Sequence, residues 1–310
     1  MSAIDIQNID TLPDNFLTFQ TSISKRLNEL YGEDAAQSFQ ANARHTLGEQ
    51  LRRDNILAWA AVRENKQAVG LLSIALNGDR ARVSLLYILP KYRAQKTEKL
   101  LINHAITVLK EVGVISVLCD TALGDDIKLE ELPGLQAFPR IMMRMPAASL
   151  AIQNTCNKIS SIPLQEKHIN EVASCILHTY KNHPDGVLYQ EIRKKNEAIT
   201  MLEQVMQGIY GQSSPQWVRT LWMDQHCQGG IIGTRLFPKT VFVLQLFVHP
   251  HYQQQGKGKL LLTELAQKVE IECPGNMLVL CVSADNPAQH LYKRLGFQPF
   301  YNTTAYLWEK

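Results

Sequence analysis

The sequence predicts an α/β protein with a mixed sheet, built from two domains of similar design. Three observations support this prediction. The chain has 310 residues, which is more than one average domain contains. In each half, consecutive apolar strands precede a strand–helix–strand unit, an order that favours a mixed sheet with helices on both faces. Two stretches of the chain match each other at an offset of 160 residues, which indicates a domain duplication.

The first half is predicted to begin with two helices and to continue with consecutive strands. Apolar residues at helical spacing predict helices over Asp14–Tyr31 and Glu33–Arg53, and Gly32 separates them. The apolar runs that follow are divided by turn residues. The remaining predicted elements are strands at Ile56–Arg63, Ala68–Leu76 and Ala81–Leu89, a helix at Lys96–Val112, and strands at Val114–Cys119 and Phe138–Met145.

The second half repeats this order of elements. Its predicted elements are a strand at Ser160–Leu164, helices at Ile169–Tyr180 and Lys194–Gly208, strands at Trp217–Met223, Gly229–Leu236 and Val241–Val248, a helix from Leu260 to Ile271, a strand at Met277–Ser283, a helix at Pro287–Leu295 and a strand near Thr304–Glu309. The segment Pro146–Cys156 is expected to be the linker. The first domain should therefore span residues 1–150 and the second residues 155–310.

Composition and charge restrict the class of protein. Hydrophobic residues make up 45% of the chain and charged residues 20%, as in ordinary globular proteins. We expect no membrane span, because no apolar run reaches about 18 residues, and no secretory signal at the N-terminus. The six cysteines form no Cys-x-x-Cys pair, which favours a reducing, cytoplasmic location without a zinc site. A net charge of +3 gives no reason to expect nucleic-acid binding.

A strand, a turn with two glycines and a helix follow each other in the second half. The strand is the apolar run Val241–Val248, and the glycines of the turn are Gly256 and Gly258. Glycines let the backbone approach a ligand closely and present several N–H groups together. The helix that follows adds the positive end of its dipole. This combination predicts a cradle for a pyrophosphate group.

The cradle sequence resembles motif A of the GNAT superfamily of N-acetyltransferases, Val-x-Pro-x-x-[Gln/Arg]-x-x-Gly-x-[Gly/Ala]. A second block, Asp285–Phe297, resembles the family's Asn…Ala…Leu-Tyr-x-x-x-Gly-Phe block. The two motifs have the order and spacing of the family, and the resemblance covers roughly residues 158–308. It implies two tandem GNAT-like acyl-CoA N-acyltransferase domains, with acetyl-CoA as co-substrate and no metal. The residues that match motif A are Val248, Pro250, Gln253, Gly256 and Gly258.

The resemblance also implies which residues bind the co-substrate and which one acts in the reaction. Tyr292 matches the family tyrosine that protonates the departing thiolate, although a packing aromatic is the alternative interpretation. Asn286 precedes Tyr292 by six residues, whereas the family asparagine precedes its tyrosine by seven. The implied acetyl-CoA-binding residues are Leu246, Phe247, Val248, Gln253, Gln254, Gln255, Gly256, Lys257, Gly258, Lys259, Asn286 and Tyr292.

Acceptor binding and the general base stay open at this stage. Asp185, in the loop His183–Tyr189, is a candidate to attract an ammonium group, and a Pro-Asp-Gly turn is the alternative. Asp224 is a second candidate for substrate binding. Gln245 stands on the cradle strand, where many GNAT proteins carry a glutamate, so a chain of waters could replace a dedicated base. Candidate bases, each equally consistent with an exposed turn, are Asp224, His226, His249, His251 and Asp285.

The first copy of the repeat lacks the glycines of the second. Pro90–Leu101 aligns with Pro250–Leu261, and six of twelve positions are identical. Arg93 stands at the Gln/Arg position of motif A, but Lys96 and Glu98 replace the two glycines. These side chains should crowd a pyrophosphate. We therefore expect a degenerate, non-catalytic first domain with little or no acetyl-CoA binding.

Two functional hypotheses from different classes follow. The first is an N-acetyltransferase whose C-terminal domain acetylates an amine of a small molecule, peptide or protein. The second is an interaction module with a vestigial or sensing acyl-CoA site. The layout is similar to that of tandem GNAT effectors of the VipF type, which intracellular bacteria translocate into host cells. A host protein would then be the acceptor or partner.

Overall fold

The protein is described from a computed structural model. The described residues are 4–120, 129, 131–153, 160–181, 183, 185–189 and 192–310. They divide into two compact units. Unit 1 contains Met1–Arg140 and Asn302–Lys310, and unit 2 contains Ile141–Tyr301.

The elements of the first part of the chain follow the predicted order. They are β1 (Ile4–Asn8), α1 (Phe16–Tyr31), α2 (Glu33–Leu51), β2 (Ile56–Arg63), β3 (Ala68–Asn77), β4 (Arg80–Ile88), a 3-10 helix (Pro90–Gln95), α3 (Thr97–Glu111), β5 (Ser116–Cys119) and β6 (Leu135–Pro146). Strand β6 passes from unit 1 into unit 2 after Arg140. Strand β1 was not predicted.

The later elements are α4 (Ala147–Ala151), β7 (Ile162–Pro163), a 3-10 helix (Glu166–His168), α5 (Ile169–Tyr180), α6 (Asp185–Leu188), α7 (Lys195–Met206), β8 (Val218–Met223), β9 (His226–Phe237), β10 (Thr240–Val248), a 3-10 helix (Pro250–Tyr252), α8 (Lys257–Glu272), β11 (Met277–Ser283), α9 (Ala288–Leu295) and β12 (Gln298–Glu309). The predicted bounds of β2, α5 and β11 agree with the structure. Strand β12 begins six residues earlier than Thr304, where the sequence placed it.

Each unit contains a mixed sheet, as predicted. In unit 1 the strand order is β1-β2-β3-β4-β5-β12, and in unit 2 it is β6-β11-β10-β9-β8-β7. In unit 1 only β4 and β5 pair in parallel among the described pairs; the others are antiparallel. In unit 2 the strands β10 and β11 form the matching parallel pair. The two units therefore repeat the same arrangement of strands, which agrees with a duplication.

The last strand of the chain belongs to unit 1. Residues Tyr306–Glu309 of β12 pair antiparallel with β5, and Tyr306 and Trp308 are buried in the core of that unit. Burial of a large side chain contributes about 2 kcal/mol or more, so this strand stabilises a unit that is far away in sequence. The ranges expected from the sequence, 1–150 and 155–310, differ from the compact units in this respect. No local sequence pattern reveals such an exchange.

The expected linker contains a packed helix. Helix α4 starts directly after β6, and its Ala147 and Leu150 are fully buried. The backbone N–H of Ala147 donates to the carbonyl of Asn276. The prediction of a linker was therefore wrong for residues 147–151, and residues 154–159 lie outside the described part of the chain. In the described residues, no helix has the length and apolar character needed to cross a membrane.

Candidate functional site

The two parallel strands of unit 2 pair at one end only. Their register runs from Thr240 opposite Met277 to Phe242 opposite Val279, and no pair follows, although β10 continues to Val248 and β11 to Ser283. An unpaired strand segment leaves backbone N–H and C=O groups that strongly favour a partner. The gap between the strands therefore offers hydrogen bonds to an extended, amide-containing ligand.

A β-bulge marks the point where β10 turns away. In the antiparallel register with β9, Val243 lies opposite Gly233 and Gln245 opposite Ile232, so Leu244 has no counterpart. An extra residue of this kind bends a strand and increases its twist. The bulge thus accounts for the separation of β10 from β11, because it follows directly after the last parallel pair.

The loop that follows β10 has the backbone of an anion site. Gln254 and Gly256 both have left-handed backbones, with φ of 59° and 76°. Alternation of this kind turns successive N–H groups toward one point. Helix α8 starts at Lys257, and its first N–H groups have no acceptor within the helix. The Gln253 side chain closes the loop, because its Nε2 donates to the carbonyl of Val248 at 2.9 Å.

The two glycines of the loop serve different purposes. A Cβ at Gly256 would meet nothing within 4 Å, so this position faces open space and needs glycine only for its left-handed backbone. A Cβ at Gly258 would lie 3.1 Å from Leu291 Cδ2 of α9. The small size of Gly258 therefore lets α8 and α9 approach each other. The sequence analysis assigned both glycines to the ligand alone.

The polar side chains of the loop contact one another. Lys257 Nζ donates to Gln255 Oε1 at 3.0 Å and lies 5.5 Å from the centre of the Tyr252 ring. Gln255 Nε2 donates to the carbonyl of His251. Lys259, in the first turn of α8, is half-buried. These contacts leave the backbone N–H groups as the principal donors that the loop presents.

The side chains at the end of β10 belong to the core. Phe247 is buried with α5 and α7, whereas Val248 and Leu246 pack on the opposite side with α8 and α9. A Cβ at Gly230 would lie 2.5 Å from Phe247 Cζ, so a glycine on β9 makes room for this ring. Only the backbone of these three residues can therefore serve a ligand, in agreement with the role that the family resemblance implies.

Tyr292 lies on α9 with its ring in the core of unit 2. It is 8% exposed and packs edge-on against Phe297, with 5.9 Å between the ring centres. Among the described residues its hydroxyl has no hydrogen-bond partner. Burial, and after it the negative charge of Asp185, raises the pKa of the Tyr292 phenol. The phenol therefore stays protonated at neutral pH and can donate a proton to a bound group.

Asp185 is held at the open end of the gap. It accepts hydrogen bonds from the Ser283 hydroxyl, at the end of β11, and from Asn286 Nδ2 at 3.1 Å. Its side chain is 13% exposed. Asn286 is buried, and its Oδ1 accepts from the N–H of Ala288 at the start of α9. The predicted acceptor residue Asp185 and the predicted cofactor residue Asn286 are thus direct neighbours beside Tyr292.

Two further residues attach the segment after α5 to this site. Tyr180 Oη donates to Gln245 Oε1 at 2.7 Å and is 3.2 Å from the carbonyl of Leu246. His183 Nδ1 lies 3.6 Å from Asp185 Oδ2. The sequence analysis included His183 in the acceptor loop but gave no role to Tyr180. A tyrosine at the end of a helix has no distinctive local pattern, so only the fold reveals its contact with β10.

The remaining candidate residues lie elsewhere. Asp224 is exposed in the hairpin turn between β8 and β9, with a left-handed backbone, and no described contact connects it with Tyr292 or Asp185. His226 pairs with Glu171 of α5 at 3.6 Å. Their roles in binding or proton transfer stay predictions. Asp285 and His251 are exposed as well.

His249 is half-buried directly after β10. Its ring centre is 5.2 Å from that of His178 and 5.8 Å from that of Tyr252. Burial, followed by the neighbouring His178 and His251, lowers the pKa of His249, whereas Glu171 raises it. The ring is therefore neutral at neutral pH and has a free lone pair for a proton. In the described part of the chain no group of three His, Cys, Asp or Glu side chains is arranged to hold a metal ion.

Unit 1 repeats the backbone of this site. The parallel pairing of β4 and β5 ends at Arg82, and a bulge omits Ser84, which is 160 residues before Leu244. Lys96 has the left-handed backbone of Gly256, with φ of 58°. Arg93 Nε donates to the carbonyl of Ile88 at 3.2 Å, as Gln253 does to Val248. The duplication thus extends to individual hydrogen bonds.

The side chains of the unit 1 loop differ in a way that opposes an anion. Lys96 and Lys99 both pair with Glu131, so a carboxylate already neutralises the cations of this loop. Glu98 was expected to project toward a pyrophosphate. It is instead buried, with Oε2 unpaired, and burial raises its pKa. The expectation that Glu98 itself repels phosphate was therefore wrong in its geometry, and Glu131 is the exposed carboxylate beside the loop.

Two family models match the chain. The model described as acetyltransferase (GNAT) family matches residues 24–128, and that described as acetyltransferase (GNAT) domain matches residues 216–299. Together the two ranges cover more than half of the sequence. No curated protein sequence matches the chain significantly.

Solved structures resemble the chain over its full length. A GCN5-related N-acetyltransferase from Sphaerobacter thermophilus has a TM-score of 0.66 at 12% identity, over 99% of this chain and 95% of the other. A tandem GNAT protein from the clavulanic acid biosynthesis pathway has a TM-score of 0.58 at 15% identity, over 99% and 98%. A GNAT acetyltransferase from Colwellia psychrerythraea has a TM-score of 0.58 at 12% identity, over 99% and 100%. Identities this low show a shared fold.

The family matches fall separately on the two units. Residues 24–128 lie within unit 1, and residues 216–299 lie within unit 2. Each range contains one parallel strand pair that opens after a bulge and one loop that leads into a long helix. The chain therefore carries two tandem GNAT domains and belongs to the GNAT family of acetyltransferases.

Proposed function

We propose that the second GNAT domain is an acetyl-CoA-dependent N-acetyltransferase that acetylates an amine. The observation that carries this proposal is the end of the β10–β11 pairing after Phe242 and Val279, directly before the left-handed loop. A gap between strands suits the amides of a pantetheine arm, and convergent N–H groups at a helix start suit a pyrophosphate. The two parts are adjacent in the chain, as one elongated ligand requires.

Under this proposal the residues of the site divide the work of acetyl transfer. The backbone at Leu246–Val248 would polarise the thioester carbonyl, because its free N–H groups can donate to a developing oxyanion. Tyr292 would protonate the departing thiolate, and its raised pKa keeps that proton available. The attack itself joins the amine nitrogen to the acetyl carbon, breaks the carbon–sulfur bond and releases one proton.

We propose that the first GNAT domain does not catalyse acetyl transfer. Its backbone has the same bulge and loop, but Glu131 pairs with Lys96 and Lys99, and Glu98 occupies the position of the second glycine. A dianionic group would have to displace the Glu131 carboxylate or share the lysines with it. We expect the first domain to retain the fold and to bind acetyl-CoA weakly or not at all.

The test is titration of the full-length chain with acetyl-CoA, followed by an assay for acetylated amines. Cutting the chain between the predicted domains would be a poor experiment, because unit 1 needs Asn302–Lys310 and unit 2 needs Ile141–Tyr301. One site per chain is expected, and substitutions in the α8 loop should weaken it. Two sites would contradict the inactive first domain. Absence of binding would contradict the transferase and leave the interaction module as the better hypothesis.

The proposed acceptor class covers amines of small molecules, peptides and proteins. A translocated effector that modifies a host protein remains one proposal within this class. Acceptor loops differ widely between proteins of one fold and carry no portable motif. A screen of amines and of lysine-containing peptides, read by mass increase, distinguishes these acceptors.

A further inference from the structure

We infer that the second domain selects acceptors that carry a positive charge, and that Asp185 is the residue that determines this selectivity. The inference rests on the proposed function, since it concerns the acceptor of that reaction. It starts from the way in which the segment after α5 is fixed to both strands of the gap.

The segment from Tyr180 to Asp185 spans the open end of the gap. Tyr180 Oη donates to Gln245 Oε1 of β10 at 2.7 Å, and Asp185 accepts from the hydroxyl of Ser283 at the end of β11. The first contact lies on one strand and the second on the other. A ligand arm between the two strands would therefore end close to the Asp185 carboxylate.

The carboxylate of Asp185 is held in a defined position. Ser283 and Asn286 donate to different oxygens of it, and its side chain is 13% exposed. It lies near enough to Tyr292 for its charge to act on the buried phenol. Thus the carboxylate, the phenol and the end of the gap occupy one small region of unit 2.

A fixed negative charge at this place opposes the reaction of a neutral acceptor. Acetyl transfer develops negative charge on the thioester oxygen and then on the sulfur, and two like charges repel more strongly away from bulk water. A cationic acceptor removes the conflict, because its ammonium group pairs with the carboxylate before reaction. Charge complementarity therefore favours an ammonium acceptor over an arylamine that is neutral in water.

The same pairing assists turnover. The bound ammonium must lose one proton before the nitrogen attacks, and His183, 3.6 Å from Asp185 Oδ2 and partly exposed, connects this position with solvent. After the carbon–nitrogen bond forms and the carbon–sulfur bond breaks, the product is a neutral amide. Its attraction to Asp185 is then lost, which favours release.

The test uses the full-length protein and two kinds of probe. Tyramine and putrescine are ammonium ions at neutral pH, whereas 4-methoxyaniline is neutral. Dissociation constants are measured by calorimetry with CoA present, and KM and kcat are measured with acetyl-CoA. The variants are Asp185→Asn, which keeps the shape and its hydrogen-bonding groups, and Ser283→Ala, which keeps the charge but removes one donor. Glu203→Gln, an exposed carboxylate on α7, is the matched control for loss of one negative charge.

We expect Asp185→Asn to raise the dissociation constant and KM of the ammonium probes by about 10-fold or more, as loss of a partly buried ion pair would. Ser283→Ala should have a smaller effect in the same direction, and Glu203→Gln none. The constants for 4-methoxyaniline and acetyl-CoA should stay unchanged. Equal effects on charged and neutral probes, weaker acetyl-CoA binding, or no binding of ammonium probes by the unmodified protein would each overturn the inference. Failure of the unmodified protein to bind acetyl-CoA would instead contradict the proposed function.

Discussion

A charge placed at Gly256 should separate the stability of the second domain from its affinity for acetyl-CoA. We compare Gly256→Asp with Gly256→Asn, because aspartate and asparagine have nearly the same shape and both tolerate a left-handed backbone. The site offers room, since a Cβ at Gly256 meets nothing within 4 Å. Both variants should lose about 1 kcal/mol of stability relative to glycine. The aspartate should recover part of this loss, because a negative charge at a helix N-terminus contributes about 0.5 kcal/mol.

The expected effect on binding has the opposite sign. A carboxylate about 6 Å from each phosphate charge, at an effective dielectric constant near 60, repels it by about 1 kcal/mol. Two phosphate charges then amount to about 2 kcal/mol, so Gly256→Asp should bind acetyl-CoA roughly 30-fold more weakly than Gly256→Asn. In about 1 M salt, where the Debye length is near 3 Å, most of this difference should disappear.

The assay is calorimetric titration at low and high salt, with thermal unfolding of the same samples. Lys96→Asp and Lys96→Asn provide a matched control, because Lys96 stands 160 residues earlier with the same left-handed backbone. These control variants should leave acetyl-CoA binding unchanged. Equal affinities of Gly256→Asp and Gly256→Asn at low salt would refute the assignment of this loop to the pyrophosphate. A response to the Lys96 variants would place a binding site in the first domain.

Three further predictions concern single side chains. Tyr292→Phe should lower kcat by about 100-fold without changing acetyl-CoA affinity or melting temperature, because the ring keeps its packing against Phe297; an unchanged kcat would leave Tyr292 a purely structural role. Glu98→Gln should raise the free energy of unfolding by about 1 kcal/mol at neutral pH, because burial raises the pKa of the carboxyl, and the gain should vanish below pH of about 4.3, where glutamate is protonated in both states. Urea denaturation at both pH values measures this, and a gain that persists in acid would contradict it. Burial lowers the pKa of His249, so the stability of the unmodified protein should decline as pH falls below about 6.5, where the unfolded state binds the proton more readily; His249→Gln should make the decline shallower, and an unchanged slope in denaturation curves would exclude this residue as a contributor.

The sequence was most informative where the structure depends on local pattern. The predicted strands β2 and β11 and helix α5 agree with the structure, because apolar periodicity and turn residues define each of them. The left-handed backbone at Gly256 was also readable from the motif. Short or isolated elements were harder: β1 has five residues and no strong apolar run.

The site was only partly predictable for a physical reason. Motif residues such as Gly256 and Tyr292 have fixed spacing, so a linear sequence reveals them. The contacts of Asp185 with Ser283 and Asn286 join positions about one hundred residues apart, and only the fold brings them together. Glu98 shows a second limit, because the sequence indicates a side chain at a helix start but does not indicate the direction in which it points.

The exchange of the last strand imposes an order on biosynthesis. Strand β5 of unit 1 pairs with Tyr306–Glu309, which are translated only after the whole of unit 2. A nascent chain that already contains residues 1–140 therefore has an incomplete sheet, with an exposed edge that can pair with other chains. Chaperone binding or slow final docking of this strand would protect that edge, and any release of the chain before residue 302 would leave the N-terminal unit permanently open.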